Sequence, residues 1–133
     1  MKFYDCSTAP SPRRVRIFIA EKGLEIETVN ISIADGEQLS DDFRAVNSNC
    51  TLPALEIDDG PNILNTAGIW AYLEDKFPEP PLMGRTAAEK GHVADIRWQI
   101  EFNGSMGMAE ALRNSTPRMK DRALPGPDNY EQI

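Results

Sequence analysis

From Pro78 to Gly84 the chain reads Pro-Glu-Pro-Pro-Leu-Met-Gly, three prolines and a glycine in seven residues. Each proline lacks an amide donor and biases the residue before it away from helix, so no helix or central strand can run through this stretch. Any fold must place separate elements on its two sides. Residues 1–77 are therefore expected to form one domain, 78–85 a linker, and 86–133 a second domain.

The first side alternates strand-like and helix-like text. Residues 2–5 read as a short strand, and Ser7-Thr8-Ala9-Pro10-Ser11-Pro12 as a loop feeding a helix. That helix is expected over Arg13–Lys22, with Val15, Phe18, Ile19 and Lys22 on one face and Gly23 as its stop. Glu25–Ile33 is β-branched enough to be a strand, so the opening is β-α-β, and a right-handed crossover makes its strands parallel. Ser40-Asp41-Asp42 reads as the cap of a short helix through Val46. Leu52–Ile57 reads as a strand entered through Pro53, with Asn62-Ile63-Leu64 as its hairpin partner across Asp58-Asp59-Gly60-Pro61. Ile69, Trp70, Leu73 and Phe77 lie at helical spacing over Thr66–Phe77. The order βαβ-α-ββα implies a mixed four-stranded sheet with helices.

Beyond the prolines the pattern is helical throughout. Thr86 and Glu89 have capping-box spacing, and Val93, Ile96 and Ile100 start an apolar stripe that continues to Met106 and Leu112. Asn103-Gly104-Ser105 weakens the helix and suggests a kink. From Asn114 on the text is polar, with Pro117, Pro125 and Pro127. One amphipathic helix has no partner for its apolar face, so this all-α domain is expected to be incomplete or to pack on a neighbour. The stripe on Val93, Ile96 and Ile100 is itself a reason to expect association.

Composition excludes several functions. At 41% hydrophobic and 26% charged residues, the chain has the make-up of a soluble globular protein. Its apolar runs fall far short of the ~20 residues of a membrane helix, and the N-terminus has no apolar signal region. A net charge of −7 argues against non-specific nucleic-acid binding; Arg13, Arg14 and Arg16 are the only concentrated positive charge. Cys6 and Cys50 form no C-x-x-C and no Cys/His cluster, which excludes a zinc ribbon or dithiol site and fits two reduced thiols in the cytoplasm. No metal is expected.

Several strings then fall in one order: Arg14-Val15-Arg16-Ile17 leading to Ala20-Glu21-Lys22-Gly23-Leu24, Phe43-Arg44-Ala45-Val46-Asn47, Leu52-Pro53-Ala54-Leu55, and Ile69-Trp70-Ala71-Tyr72-Leu73-Glu74-Asp75-Lys76-Phe77-Pro78. In this order and spacing the chain resembles the cytosolic glutathione transferases, of bacterial type. The resemblance covers Met1 to about Gly84 and continues into the following helix. It implies a thioredoxin-like α/β N-terminal domain followed by an all-α C-terminal domain, glutathione as co-substrate, a small hydrophobic electrophile, a detoxifying role in the cytoplasm, and a homodimer.

The same resemblance assigns site residues. A cis Leu52–Pro53 bond would present the backbone of Leu52 to an extended cysteinyl peptide, which adds like a strand. Asn65 and Thr66 stand where the family has an acidic residue and Ser, at a helix start suited to a carboxylate. Asn65 keeps an acceptor but not the negative charge, and Thr66 keeps the hydroxyl. Ala9 occupies the position where members carry the Ser, Thr or Cys that holds the glutathione thiolate. Ser11, nearer the positive end of the helix dipole, is the candidate in its place, with Ser7, Thr8 and Tyr4 further off. Cys50 stands where the family often has glycine. Trp98, Met106 and Met108 lie on the helix that lines the family's substrate pocket, although helix packing explains them as well. The implied activity is thiolate stabilisation and conjugation to the electrophile; the alternative is a glutathione-binding or scaffold protein of the same fold without transferase activity.

Overall fold

The computed structural model describes residues 1–117. They divide into two compact units, Met1–Leu82 and a second beginning at Met83. The first carries β1 (Lys2–Asp5), α1 (Pro10–Glu21), β2 (Glu27–Asn30), a 3-10 turn at Glu37–Leu39, α2 (Asp41–Val46), β3 (Ala54–Glu56) and α3 (Thr66–Lys76). Strand order is β2-β1-β3, with β1 parallel to β2 and antiparallel to β3. The β-α-β opening is thus parallel, as its spacing requires.

The sheet has three strands rather than four. Asn62-Ile63-Leu64 supplies only an isolated antiparallel bridge, Leu55 to Ile63, with N···O distances of 2.8 and 2.9 Å. Pro61 has no amide to donate and Asn65 already caps α3, so the segment between them is too short for more; the Asn62 side chain (Nδ2) donates to the Val46 carbonyl at 2.9 Å. β2 is also shorter than the β-branched run Glu25–Ile33. Its partner β1 ends at Asp5, which pairs with Asn30; past Ile31 the chain turns at Ser32, whose hydroxyl bonds Asp35.

α1 begins at Pro10, three residues before the expected Arg13. The prolines that read as loop sit in the first turn, where no amide is needed from them. Its end is a Schellman turn: Gly23, at φ 65°, and Leu24 donate to Ala20 and Ile19. Ser40 caps α2 by accepting from the Phe43 amide at 3.2 Å. Alternate residues of β1 face opposite ways. Phe3 and Asp5 are buried on the side of α1, and the Tyr4 ring meets Phe43 of α2 edge-on at 5.9 Å. Phe3, Val15, Leu55, Ile69 and Leu73 form a core with almost no exposed surface, and α1 and α3 pack together beside the sheet.

At the far end of this unit Lys22 is buried. Its ammonium donates to the carbonyls of Phe77 and Pro80, both at 2.7 Å, and pairs with Glu74 at 2.5 Å. The proline segment is thereby fastened to the ends of α1 and α3. Glu79–Pro80 in this segment is cis.

The second unit begins with the expected capping box: Thr86 Oγ1 accepts from the Glu89 amide, and the Glu89 carboxylate accepts from Thr86 N–H. α4 (Ala87–Gln99) passes into a π-helical stretch, Ile100–Met106, and then α5 (Gly107–Ser115). The weak point at Asn103-Gly104-Ser105 is thus a widened turn inside one helical run. Helix continues through Asn114, whose side chain bonds the Glu110 carbonyl at 2.9 Å. The expected polar tail with Pro125 and Pro127 lies outside the described residues. Ile96, Trp98, Ile100, Phe102, Met108 and Leu112 are all more than half exposed, and Trp98 and Phe102 stack at 5.3 Å. Among the described residues no helix is long and apolar enough to cross a membrane.

Candidate functional site

Register brings the candidate residues to one edge of the sheet. Tyr4 pairs with Ala54, so Pro53 comes opposite the end of β1, where the chain leaves at Cys6 for the loop into α1. The Leu52–Pro53 bond is cis. Among the described residues no hydrogen bond engages the backbone N–H or carbonyl of Leu52. The N-terminus of α3 joins the same edge, because Thr66 Oγ1 donates to the Ser11 carbonyl at 3.4 Å. Leu52, Ser11 and Thr66 thus stand on three chain segments that converge beyond the C-terminal end of β1.

The first turn of α1 has an unusual donor inventory. Pro10 and Pro12 have no N–H, and the Arg13 amide closes on the Ala9 carbonyl at 3.3 Å. Ala9 is the N-cap but has no side-chain acceptor to offer, so among the described residues the Ser11 amide is left open at the positive end of the helix. The Ser11 hydroxyl accepts from Arg14 Nη2 at 3.3 Å, which leaves its own proton to be donated elsewhere. The Arg14 guanidinium lies 5.9 Å from the Trp70 ring of α3.

At the start of α3, Asn65 is the N-cap and accepts from the Gly68 amide at 2.8 Å. Thr66 is buried, and its hydroxyl proton is committed to Ser11 rather than facing outward. Among the described residues the amides of Thr66 and Ala67 make no hydrogen bond. Two adjacent donors at a helix N-terminus can receive a carboxylate.

The other candidates are engaged elsewhere. Tyr4 donates to Glu56 at 2.8 Å, and burial together with that carboxylate pushes its pKa up to about 12. Thr8 Oγ1 lies 3.4 Å from Cys6 Sγ. Burial works to raise the pKa of this Cys6 thiol, but hydrogen bonds from the Thr8 hydroxyl and from the amides of Ile33, Thr8 and Ala9 outweigh it, and the thiol sits below its ordinary value. Cys6 is buried, Cys50 half-buried, and both are free thiols. Cys50 holds φ 55°, a left-handed conformation that favours glycine, the residue the resemblance leads one to expect there. His92 is exposed. Among the described residues no three His, Cys, Asp or Glu side chains are grouped to hold a metal ion.

One contact at the loop into α1 has no signal in the sequence. Arg16, named above only as part of the concentrated positive charge with Arg13 and Arg14, turns inward to Asp5 and the loop carbonyls. Its partner lies eleven positions earlier on a strand, and no local pattern marks the pair.

Residues 8–76 match the family model described as glutathione S-transferase, N-terminal domain. The chain is 37% identical over 106 residues to "Glutathione S-transferase 2" of Saccharomyces cerevisiae, covering 77% of this chain and 46% of that protein. It is 35% identical over 119 residues to "Maleylacetoacetate isomerase" of Pseudomonas aeruginosa, covering 85% and 56%. A solved glutathione S-transferase domain-containing protein of Marinobacter aquaeolei superposes with TM-score 0.86 at 32% identity, over 99% of this chain and 66% of that one. The chain therefore spans about half the length of these two sequence relatives.

Proposed function

Because the chain belongs to the glutathione S-transferase family, with a thioredoxin-like N-terminal domain followed by helices of the all-α domain, we propose that its sheet edge binds glutathione and holds it as the thiolate. The observation that carries this reading is the junction of the two helix N-termini through Thr66 and Ser11, beside the open backbone of Leu52. The cysteinyl backbone would pair with Leu52, next to Pro53. The γ-glutamyl carboxylate would take the amides of Thr66 and Ala67, with the Asn65 side chain beside its amino group. The thiol then falls near α1, where the Ser11 amide and hydroxyl donate to sulfur.

Free thiols ionise near pH 8.5, and hydrogen bonds to the charged form lower that value. Once deprotonated, the sulfur attacks a hydrophobic electrophile: a C–S bond forms and the leaving group departs with its electron pair. The protein supplies thiolate stabilisation and proximity rather than a covalent nucleophile. The "Maleylacetoacetate isomerase" relative favours keeping an isomerisation within the same reading, since a thiolate that adds and is then expelled leaves glutathione unchanged. The protein acts in the cytoplasm as a homodimer, the exposed Ile96 and Ile100 on α4 being one source of association.

A second reading, glutathione binding without transfer, is favoured by Ala9, whose methyl group replaces the family's hydroxyl or thiol. Titration at neutral pH separates the two. Trp70 emission is followed with added glutathione, together with the ultraviolet absorbance of bound thiolate. The transferase reading expects saturation with a Kd of about 1 mM or tighter, near −4 kcal/mol, and a thiolate band that weakens in Ser11→Ala. Saturation without a thiolate band selects the binding-only reading. A folded chain that does not saturate well above that range excludes both.

A further inference from the structure

Arg16, itself half-buried, and the buried Asp5 form an ion pair that the proposed chemistry does not use directly. Asp5 is only 5% exposed; Arg16 Nη1 donates to its two oxygens at 2.6 and 2.7 Å and to the Cys6 carbonyl at 3.2 Å. Nη2 donates to the Ser7 carbonyl at 3.2 Å. An ion pair with one partner still open to solvent adds little stability of its own, so stability alone is a weak reason for it. Its geometric consequence is specific. One planar cation, itself held by a carboxylate, fixes two consecutive carbonyls of the loop that leads into α1.

Those carbonyls carry partial negative charge, and the guanidinium turns them toward its own side of α1. The rest of the loop is committed as well: the Ser7 amide donates to Asn30 at 2.9 Å, and the Ala9 amide to Cys6 at 3.0 Å. What the loop delivers to the helix start is the open Ser11 amide, with no acceptor from Ala9 beside it. The geometry points to Arg16, held by Asp5, as a positioning residue for the thiolate site: it sets the Cys6–Ala9 loop so that the Ser11 donors meet the glutathione sulfur. This rests on the glutathione reading above.

Charge and geometry can be told apart. Arg16→Lys keeps the cation but has no planar fork to span a carboxylate and two carbonyls, while Arg13 and Arg14 stay unchanged. Asp5→Asn keeps the shape and loosens the anchor, and serves if Arg16→Lys does not fold. For the parent and each folded variant, Kd for glutathione comes from Trp70 emission, and the thiolate absorbance per bound glutathione is read at neutral pH. Arg16→Lys is expected to lose at least about threefold of the thiolate signal while Kd moves by less than about threefold; Asp5→Asn is expected to fall between it and the parent. A thiolate signal at the parent level in Arg16→Lys overturns the positioning role, as does a signal that falls only in step with binding. A parent that does not bind glutathione removes the underlying reading, and the positioning role with it.

Discussion

At the scale of single residues, the proposed site rests on donors that the described structure leaves open. Ser11 stands between two prolines and after an alanine cap, so its amide has no competitor at the helix start. Asn65 caps α3 and, in the proposed binding mode, also lies beside the glutathione amino group. As a cap it equals aspartate, but toward an ammonium it lacks charge. Hydrogen bonds to charged groups contribute roughly 1.5–3 kcal/mol against about 1 for neutral ones. Asn65→Asp is therefore expected to keep the Gly68 contact and tighten glutathione binding about tenfold, read by titration of both proteins. Asn65→Ala is expected to lose about 1 kcal/mol of stability with the cap, read from the urea midpoint. Positions that a local signal or a family string marks were legible: Leu52, Pro53, Asn65 and Thr66 stand at the converging edge, and their ligand roles remain the proposal made above. Thr66 shows the limit. Its hydroxyl proton goes to a carbonyl 55 positions away, and that contact exists only after α1 and α3 have packed.

At the scale of elements, ends were more legible than pairings. The Ser40 cap, the Thr86–Glu89 box and the Gly23 stop are decided within a few residues, and each stands where the pattern put it. The fourth strand was not legible, because strand length depends on what a distant partner offers. Pro61 and Asn65 leave Ile63 room for a single bridge. The start of α1 was misread for the opposite reason: proline signals a turn and a first helical position with the same residue. The capping box makes a pH prediction. Amides of Thr86 and Arg85 bond the Glu89 carboxylate and hold its pKa below the ordinary value of 4.5. A lowered folded pKa means its support for α4 is complete above that ordinary value and is lost as pH falls through the folded one. Circular dichroism on acidification is expected to show helix loss in the parent and a weaker pH dependence in Glu89→Gln, which still accepts but does not titrate.

At the scale of the molecule, the proline segment divides the described chain, and Lys22 fastens that segment to the first unit. Removing one partner of a buried ion pair costs roughly 3–5 kcal/mol, because the other charge stays behind. Lys22→Met is expected to lower the stability of the first unit by about that amount, with Lys22→Met/Glu74→Leu regaining part of it; urea unfolding followed at Trp70 measures both. The two compact units divide between Leu82 and Met83, inside this proline-rich stretch, where proline acts on its own backbone. The inward turn of Arg16 was not legible in the sequence, because it needs the β1–α1 arrangement before Asp5 comes within reach.

The central claim is that glutathione lies along Leu52, Ser11, Thr66 and Ala67 at one edge of the sheet. The most direct test is amide chemical-shift mapping of the isotopically labelled chain during glutathione addition at neutral pH. Saturable shifts concentrated at the amides of Leu52, Ser11, Thr66 and Ala67, with Lys22 and the α4 cap unmoved, are expected. Saturable shifts elsewhere, or no saturation well above about 1 mM glutathione, would contradict it.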